Sequence, residues 1–148
     1  MSRSKSIGWS VWEMRRVSET KTQIMNSRDS AEQAIKDIGF KDREHFIRYD
    51  FDSKNKLIGK EIVSIGTINA SLVHPREVFK GALLNNAVSI VIAHNHPSTD
   101  TDPSMEDCKV QELLDRGCKL LGLDLLDFLI VGGKNWRSLE HDEEGTIE

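Results

Sequence analysis

The sequence predicts an α/β domain in which a mixed β-sheet is covered by helices. Helical and β-type stretches alternate along the chain, and one run, Val88–Ala93, is apolar almost throughout, as a strand buried on both faces must be. With 148 residues, 38% of them hydrophobic, the chain suits one domain; 10 Gly and 3 Pro exclude collagen-like, low-complexity and wholly disordered classes.

The elements follow in order. Val11–Val17 roughly alternates and, with the aromatic area of Trp9 and Trp12, predicts an edge strand; Ser18–Ser30 is polar and loop-like. Asp29 has the form of an N-cap, with Glu32 three positions on, Ala31, Ala34, Ile35 and Ile38 at helical spacing, and Gly39 as the stop. Phe46–Phe51 and Leu57–Ile65 are β-type runs joined by the polar turn Asp52–Lys56, a hairpin. Pro75 opens a second helix whose stripe of Val78, Phe79, Ala82 and Leu83 ends near Asn86. Val88–Ala93 follows and ends at His94. After the loop His94–Pro103, Ser104 and Asp107 have capping-box spacing and open a third helix, with Val110, Leu113 and Leu114 inward and Gly117 as its end. Leu123–Val131 is a further strand closed by Gly132 and Gly133, and Trp136–Leu139 pairs as the last one.

Charge divides the chain into three parts. Residues 1–28 form a basic arm, with six Lys or Arg against two Glu; residues 29–139 are nearly balanced; residues 140–148 form an acidic tail with five acidic residues and no basic one. Such ends are solvated segments or contacts for nucleic acid or protein. No apolar run approaches the ~18 residues of a membrane span, and Met1–Ser10 lacks the apolar core of a signal peptide, so the expectation is a cytoplasmic protein without a membrane partner. Cys108 and Cys118, ten residues apart on one helix, have Cα atoms separated by about 15 Å, well beyond the ~7 Å limit for a disulfide. Reduced thiols fit a reducing compartment.

The segment that carries chemistry is His94-Asn95-His96-Pro97 with Ser104 and Asp107 downstream. On an extended backbone, residues i and i+2 share a face about 6.6 Å apart, so two imidazoles can converge on one ion. Pro97 ends the strand, and Asp107, in the first turn of the next helix, can swing a carboxylate back across the strand end. Two imidazoles and one carboxylate leave one tetrahedral position for water, the composition of a catalytic zinc site. A chance H-x-H and a plain helix cap are the bland readings. Their joint occurrence at the mouth of a buried strand, where α/β folds place their sites, favours metal. The letters H-N-H are contiguous here, unlike the spread-out nuclease motif of that name.

The string His94-x-His96-Pro97, six residues, Ser104-x-x-Asp107 resembles the signature of the JAMM (MPN+) metallopeptidases. Further blocks resemble their bacterial relatives, the RadC family: Arg43-Glu44-His45-Phe46, Gly66–Ala70, His74–Phe79, His94–Ser98 and Leu125-Leu126-Asp127, spanning roughly Asp29–Leu139. The resemblance implies a three-layer, cytidine-deaminase-like α/β/α sandwich around one zinc, held by His94, His96 and Asp107. It also implies a general base at Glu44, just after the first helix, and a hydrogen bond from Ser104 to the oxyanion of a tetrahedral intermediate, a role that competes with helix capping. Glu77, in the block Pro75-Arg76-Glu77, is the rival base, equally explained by the helix dipole. His45 and His74 are expected to be packing or supporting residues, and Arg43 and Arg76 either orient a carboxylate or are solvated.

The sequence departs from the RadC pattern in three places. Ser98-Thr99-Asp100 stands where the family usually has Ser-Gly-Asp, and Phe128 where it often has His. Residues 1–28 are too short for the helix-hairpin-helix segment that commonly precedes the domain, which weakens a DNA role. The expected function is a zinc-dependent hydrolase cleaving an amide or isopeptide bond in a peptide or protein substrate. The alternatives are a DNA-associated accessory protein, with the basic arm as its DNA contact, and a zinc-stabilised scaffold without turnover.

Overall fold

A computed structural model describes residues 22–148; the edge strand expected at Val11–Val17 and most of the basic arm lie outside the described residues. The elements are α1 (Ser27–Ile38), β1 (His45–Phe51), β2 (Leu57–Ile65), α2 (Pro75–Leu84), β3 (Ser89–Asn95), α3 (Met105–Leu121), β4 (Asp124–Gly132), β5 (Asn135–Ser138) and β6 (Glu143–Thr146). They form one mixed six-stranded sheet in the order β2-β1-β3-β4-β5-β6. Only β3 and β4 run parallel, because α3 lies between them as the crossover; all other neighbours are antiparallel.

β3 is therefore central, and all seven of its residues are buried. Its side chains alternate between two cores. On one face Val91 and Ala93 join Ile47, Tyr49, Leu129 and Val131 beneath α1, which contributes Ala31, Ala34, Ile35 and Ile38. On the other, Ile90 and Ile92 join Phe46 and Phe128 beneath Val78, Phe79 and Ala82 of α2 and Val110, Leu114 and Cys118 of α3. The result is the expected three-layer α/β/α arrangement. Among the described residues, no helix is long and apolar enough to cross a membrane.

Several expectations need correction; Leu83, placed in the apolar stripe of α2, is exposed. α1 begins earlier than Asp29: Asn26 is the N-cap, its side chain accepting from the Asp29 amide at 2.9 Å, while the Asp29 carboxylate accepts from the Met25 amide at 2.8 Å. α3 does not stop at Gly117. It continues to Leu121 and ends at Gly122, whose φ of +74° suits the left-handed cap. Gly117 is small for another reason, since a Cβ there would lie 2.5 Å from the Phe79 ring of α2. Finally, the acidic end is not simply a tail, because Glu143–Thr146 pairs with β5 and Gly145 lies under the Trp136 indole.

On the α2 face of β1, Arg48 is fully buried. It donates to Asp50 at 2.5 and 2.9 Å, to Glu61 of β2 at 2.7 Å and to the Val78 carbonyl of α2 at 2.7 Å. Asn85 adds a 2.7 Å hydrogen bond to Asp50. One guanidinium thus ties β1, β2 and α2 together, and removing it strands a buried carboxylate. Arg48→Met is expected to lower the unfolding free energy by about 3–5 kcal/mol in urea denaturation; a loss below about 1 kcal/mol would show that the cluster does not hold these elements together.

Candidate metal centre

The centre forms where β3 leaves the sheet. Strand alternation sends His94 and His96 to the α2/α3 face and Asn95 to the α1 face. The ladder continues one residue past β3, the His96 amide donating to the Val131 carbonyl at 2.8 Å. Asp107 arrives from the first turn of α3 through the expected capping box: the Ser104 amide donates to Asp107 Oδ2 at 2.7 Å, and the Asp107 amide donates to Ser104 Oγ at 3.0 Å. Asp107 Oδ1 lies 3.0 Å from His94 Nε2, and Oδ2 lies 3.2 Å from His96 Nε2. One potential ligand atom from each of the three residues falls within a 4.8 Å cluster able to hold a metal ion.

Burial and hydrogen bonding give the two imidazoles different characters. His94 is fully buried, 6.0 Å edge-on from the Phe128 ring. Burial pushes its pKa down to about 4 against the pull of Asp107, so the ring is neutral near pH 7. Neither ring nitrogen of His94 has a hydrogen-bond partner among the described residues, although Nε2 approaches Asp107 closely. A buried, neutral imidazole with an unused lone pair beside a carboxylate fits a metal ligand. His96 is half-buried, and its pKa is raised, chiefly by its hydrogen bond to Asp107. Its Nδ1 lies 2.7 Å from the Asp100 carbonyl; a carbonyl only accepts, so Nδ1 is the donor and Nε2 is turned toward Asp107. Burial pushes the Asp107 carboxyl up, but hydrogen bonds from His96 and Ser104 outweigh it and leave the pKa lowered.

Glu44 comes from the opposite side. The antiparallel pair Phe46↔His94 directs the residue two positions before Phe46 toward His96. Glu44 lies near enough to feel both His96 and Asp107, and its carboxyl accepts from the Ile68 amide. Burial is the main cause of its raised pKa, with Asp107 adding to it and His96 and the Ile68 amide opposing it. The structure thus brings together His94, His96, Asp107, Ser104 and Glu44. The rival Glu77 is exposed on α2 beside Lys80 at 3.7 Å. His74 is exposed at the start of α2 without a side-chain cap bond, the His45 ring meets the Arg43 carbonyl at 2.8 Å, and Arg43 and Arg76 are exposed.

Two features around the centre have no sequence signature of their own. One is the Asp100 carbonyl that orients His96. The other is Asn95, wholly buried between the two histidines, whose side chain accepts from the His45 amide at 2.6 Å and donates to the carbonyls of Arg43 at 2.9 Å and Lys41 at 3.3 Å. The departure at Thr99 also acquires a physical meaning. Its φ is +69°, a left-handed conformation that a β-branched residue adopts only under strain and that glycine adopts freely.

A His-His-Asp group at the end of a central strand, closed by a helix N-terminus, is the arrangement of a JAB-type α/β domain. Residues 24–146 match the family described as RadC-like JAB domain. A UPF0758 protein of Methanosarcina mazei is 43% identical over 132 residues, covering 89% of this chain and 57% of that protein. A UPF0758 protein of Methanococcoides burtonii is 48% identical over 105 residues, covering 71% and 45%. The UPF0758 protein GWCH70_2550 of a Geobacillus strain is 42% identical over 124 residues, covering 84% and 54%. The chain belongs to the RadC family, and it spans about half the length of the curated relatives it matches.

Relief of the strain at Thr99 is measurable. Thr99→Gly is expected to raise the unfolding free energy by about 1 kcal/mol, the left-handed penalty exceeding the entropy cost of glycine. Chemical denaturation showing destabilisation instead would mean that Thr99 packing outweighs its backbone strain.

Proposed function

We propose that this domain is a zinc-dependent hydrolase cleaving an amide or isopeptide bond in a peptide or protein substrate. His94, His96 and Asp107 hold one zinc per chain, Glu44 is the general base and Ser104 an oxyanion donor. The observation that carries the reading is the placement of a carboxyl group, Glu44, held by the Ile68 amide, beside the His-His-Asp group. A scaffold has no chemical need for such a group. Two imidazoles with one carboxylate suit zinc among the common cations.

Zinc bound there supplies Lewis acidity and lowers the pKa of a water toward ~7. Glu44 takes the proton of the attacking water and passes it to the leaving amine. The two roles of Ser104 are compatible. Its oxygen accepts from the Asp107 amide through a lone pair, which leaves the O–H free to donate to a developing oxyanion. The Asp100 carbonyl keeps the His96 ring from turning away.

Glu44→Gln is expected to lower hydrolysis of a responsive peptide substrate by at least about a hundredfold while zinc content stays at one per chain; full activity in this variant rules out Glu44 as the base. Proton release on zinc binding provides a second check. At pH 5.5 His96, raised, is protonated, whereas His94, lowered to about 4, and Asp107, lowered, are already deprotonated. Calorimetry of Glu44→Gln, which removes the one other raised acid at the centre, in buffers of different ionisation heat should therefore give about one proton released, and apparent affinity should fall about tenfold per pH unit below the His96 pKa. Two ordinary imidazoles would release nearly two protons at that pH.

A further inference from the structure

We propose that Asn95 is a positioning residue for Glu44, an inference that rests on the reading of Glu44 as the base. Its side chain grips the chain on both sides of Glu44: Oδ1 accepts from the His45 amide at 2.6 Å, and Nδ2 donates to the Arg43 carbonyl at 2.9 Å and the Lys41 carbonyl at 3.3 Å. The Glu44 carbonyl is held from the other side by the Gly66 amide at 2.8 Å. The peptide groups around Glu44 are therefore fixed to β3, the strand that carries both histidines. The alternation that sends His94 and His96 to one face sends Asn95 to the other, beneath the segment leading from α1 to β1.

The asparagine amide matches this task in a way few side chains can. It offers one acceptor and two donors at a short, rigid reach, and all are used on backbone groups fifty or more residues away in sequence. Asn95 is 0% exposed and carries no charge, so it brings no net charge to the centre. Its contribution is registry between the base and the ligand strand. An error of about 1 Å in such a group costs catalysis heavily without disturbing the fold.

The test uses zinc-loaded protein and acetohydroxamate, a zinc-binding probe that gives up a proton to a neighbouring base as it binds. Glu44→Gln and Asn95→Ala should each weaken acetohydroxamate binding about tenfold or more, with zinc content unchanged. The double variant should be no weaker than either single one, the non-additivity of residues acting as a unit. In the metal-free protein, hydrogen exchange at the His45 amide should accelerate about tenfold or more in Asn95→Ala, since a buried acceptor is lost. Asn95→Ser is read in the same way if the alanine variant does not fold. Weakening by Glu44→Gln alone overturns the role of Asn95 and leaves the base reading intact. No effect of Glu44→Gln overturns both, and loss of zinc from the Asn95 variants overturns the positioning role by showing that Asn95 supports the ligands instead.

Discussion

The centre depends on one carboxylate doing two jobs. Asp107 closes the capping box that starts α3 and, with the same side chain, faces both His94 and His96. The two jobs reinforce each other. The Ser104 amide fixes the carboxylate, and the helix N-terminus favours its ionised form. A helix started one residue later would rotate this side chain by about 100° and carry it off the histidines. The parallel pairing of β3 and β4 makes this arrangement possible, because a parallel neighbour requires a crossover and α3 is that crossover. Strand end, loop and helix start therefore meet at one place.

From that anchor the electrostatics follow from burial. The Phe128 ring and the sheet exclude water from His94 and keep it neutral, while the more open His96 leans on Asp107 and the Asp100 carbonyl. Glu44, at the rim, has its pKa raised by burial and by the same Asp107 that stabilises charge on the histidine side. The three groups differ in character because they sit at different depths beside a single acid. The two faces of β3 divide the work. One carries the histidines against α2 and α3, and the other carries Asn95 against the chain that follows α1.

Much of this was legible in the sequence for physical reasons. Val88–Ala93 reads as a central strand because a run without polar alternation has to be buried; the strand is Ser89–Asn95, with Val88 exposed just before it, and the hairpin ends coincide with the polar turn around Asp52. His94, His96 and Asp107 were legible because strand and helix-cap spacings fix where those side chains point. Elsewhere tertiary packing overrides the local signal. Asn26 and Asp29 are both good caps, and only packing decides which one begins α1. Gly117 looks like a stop but is a packing residue against Phe79. β6 has no apolar alternation at all; its strand character comes from pairing with β5 and from Trp136 lying over Gly145. The grip of Asn95 on residues 41–45 depends on tertiary register, and nothing local in the sequence encodes that.

The chemistry of the centre depends on where a metal ion sits. Anomalous diffraction at the zinc edge from crystals of zinc-loaded protein would locate it directly. The expected result is one site per chain, within about 2.0–2.2 Å of a nitrogen of His94, a nitrogen of His96 and an oxygen of Asp107, with Glu44 outside the ligand set. No anomalous density there, or zinc held at Cys108, Glu77 or another surface group, would contradict the account.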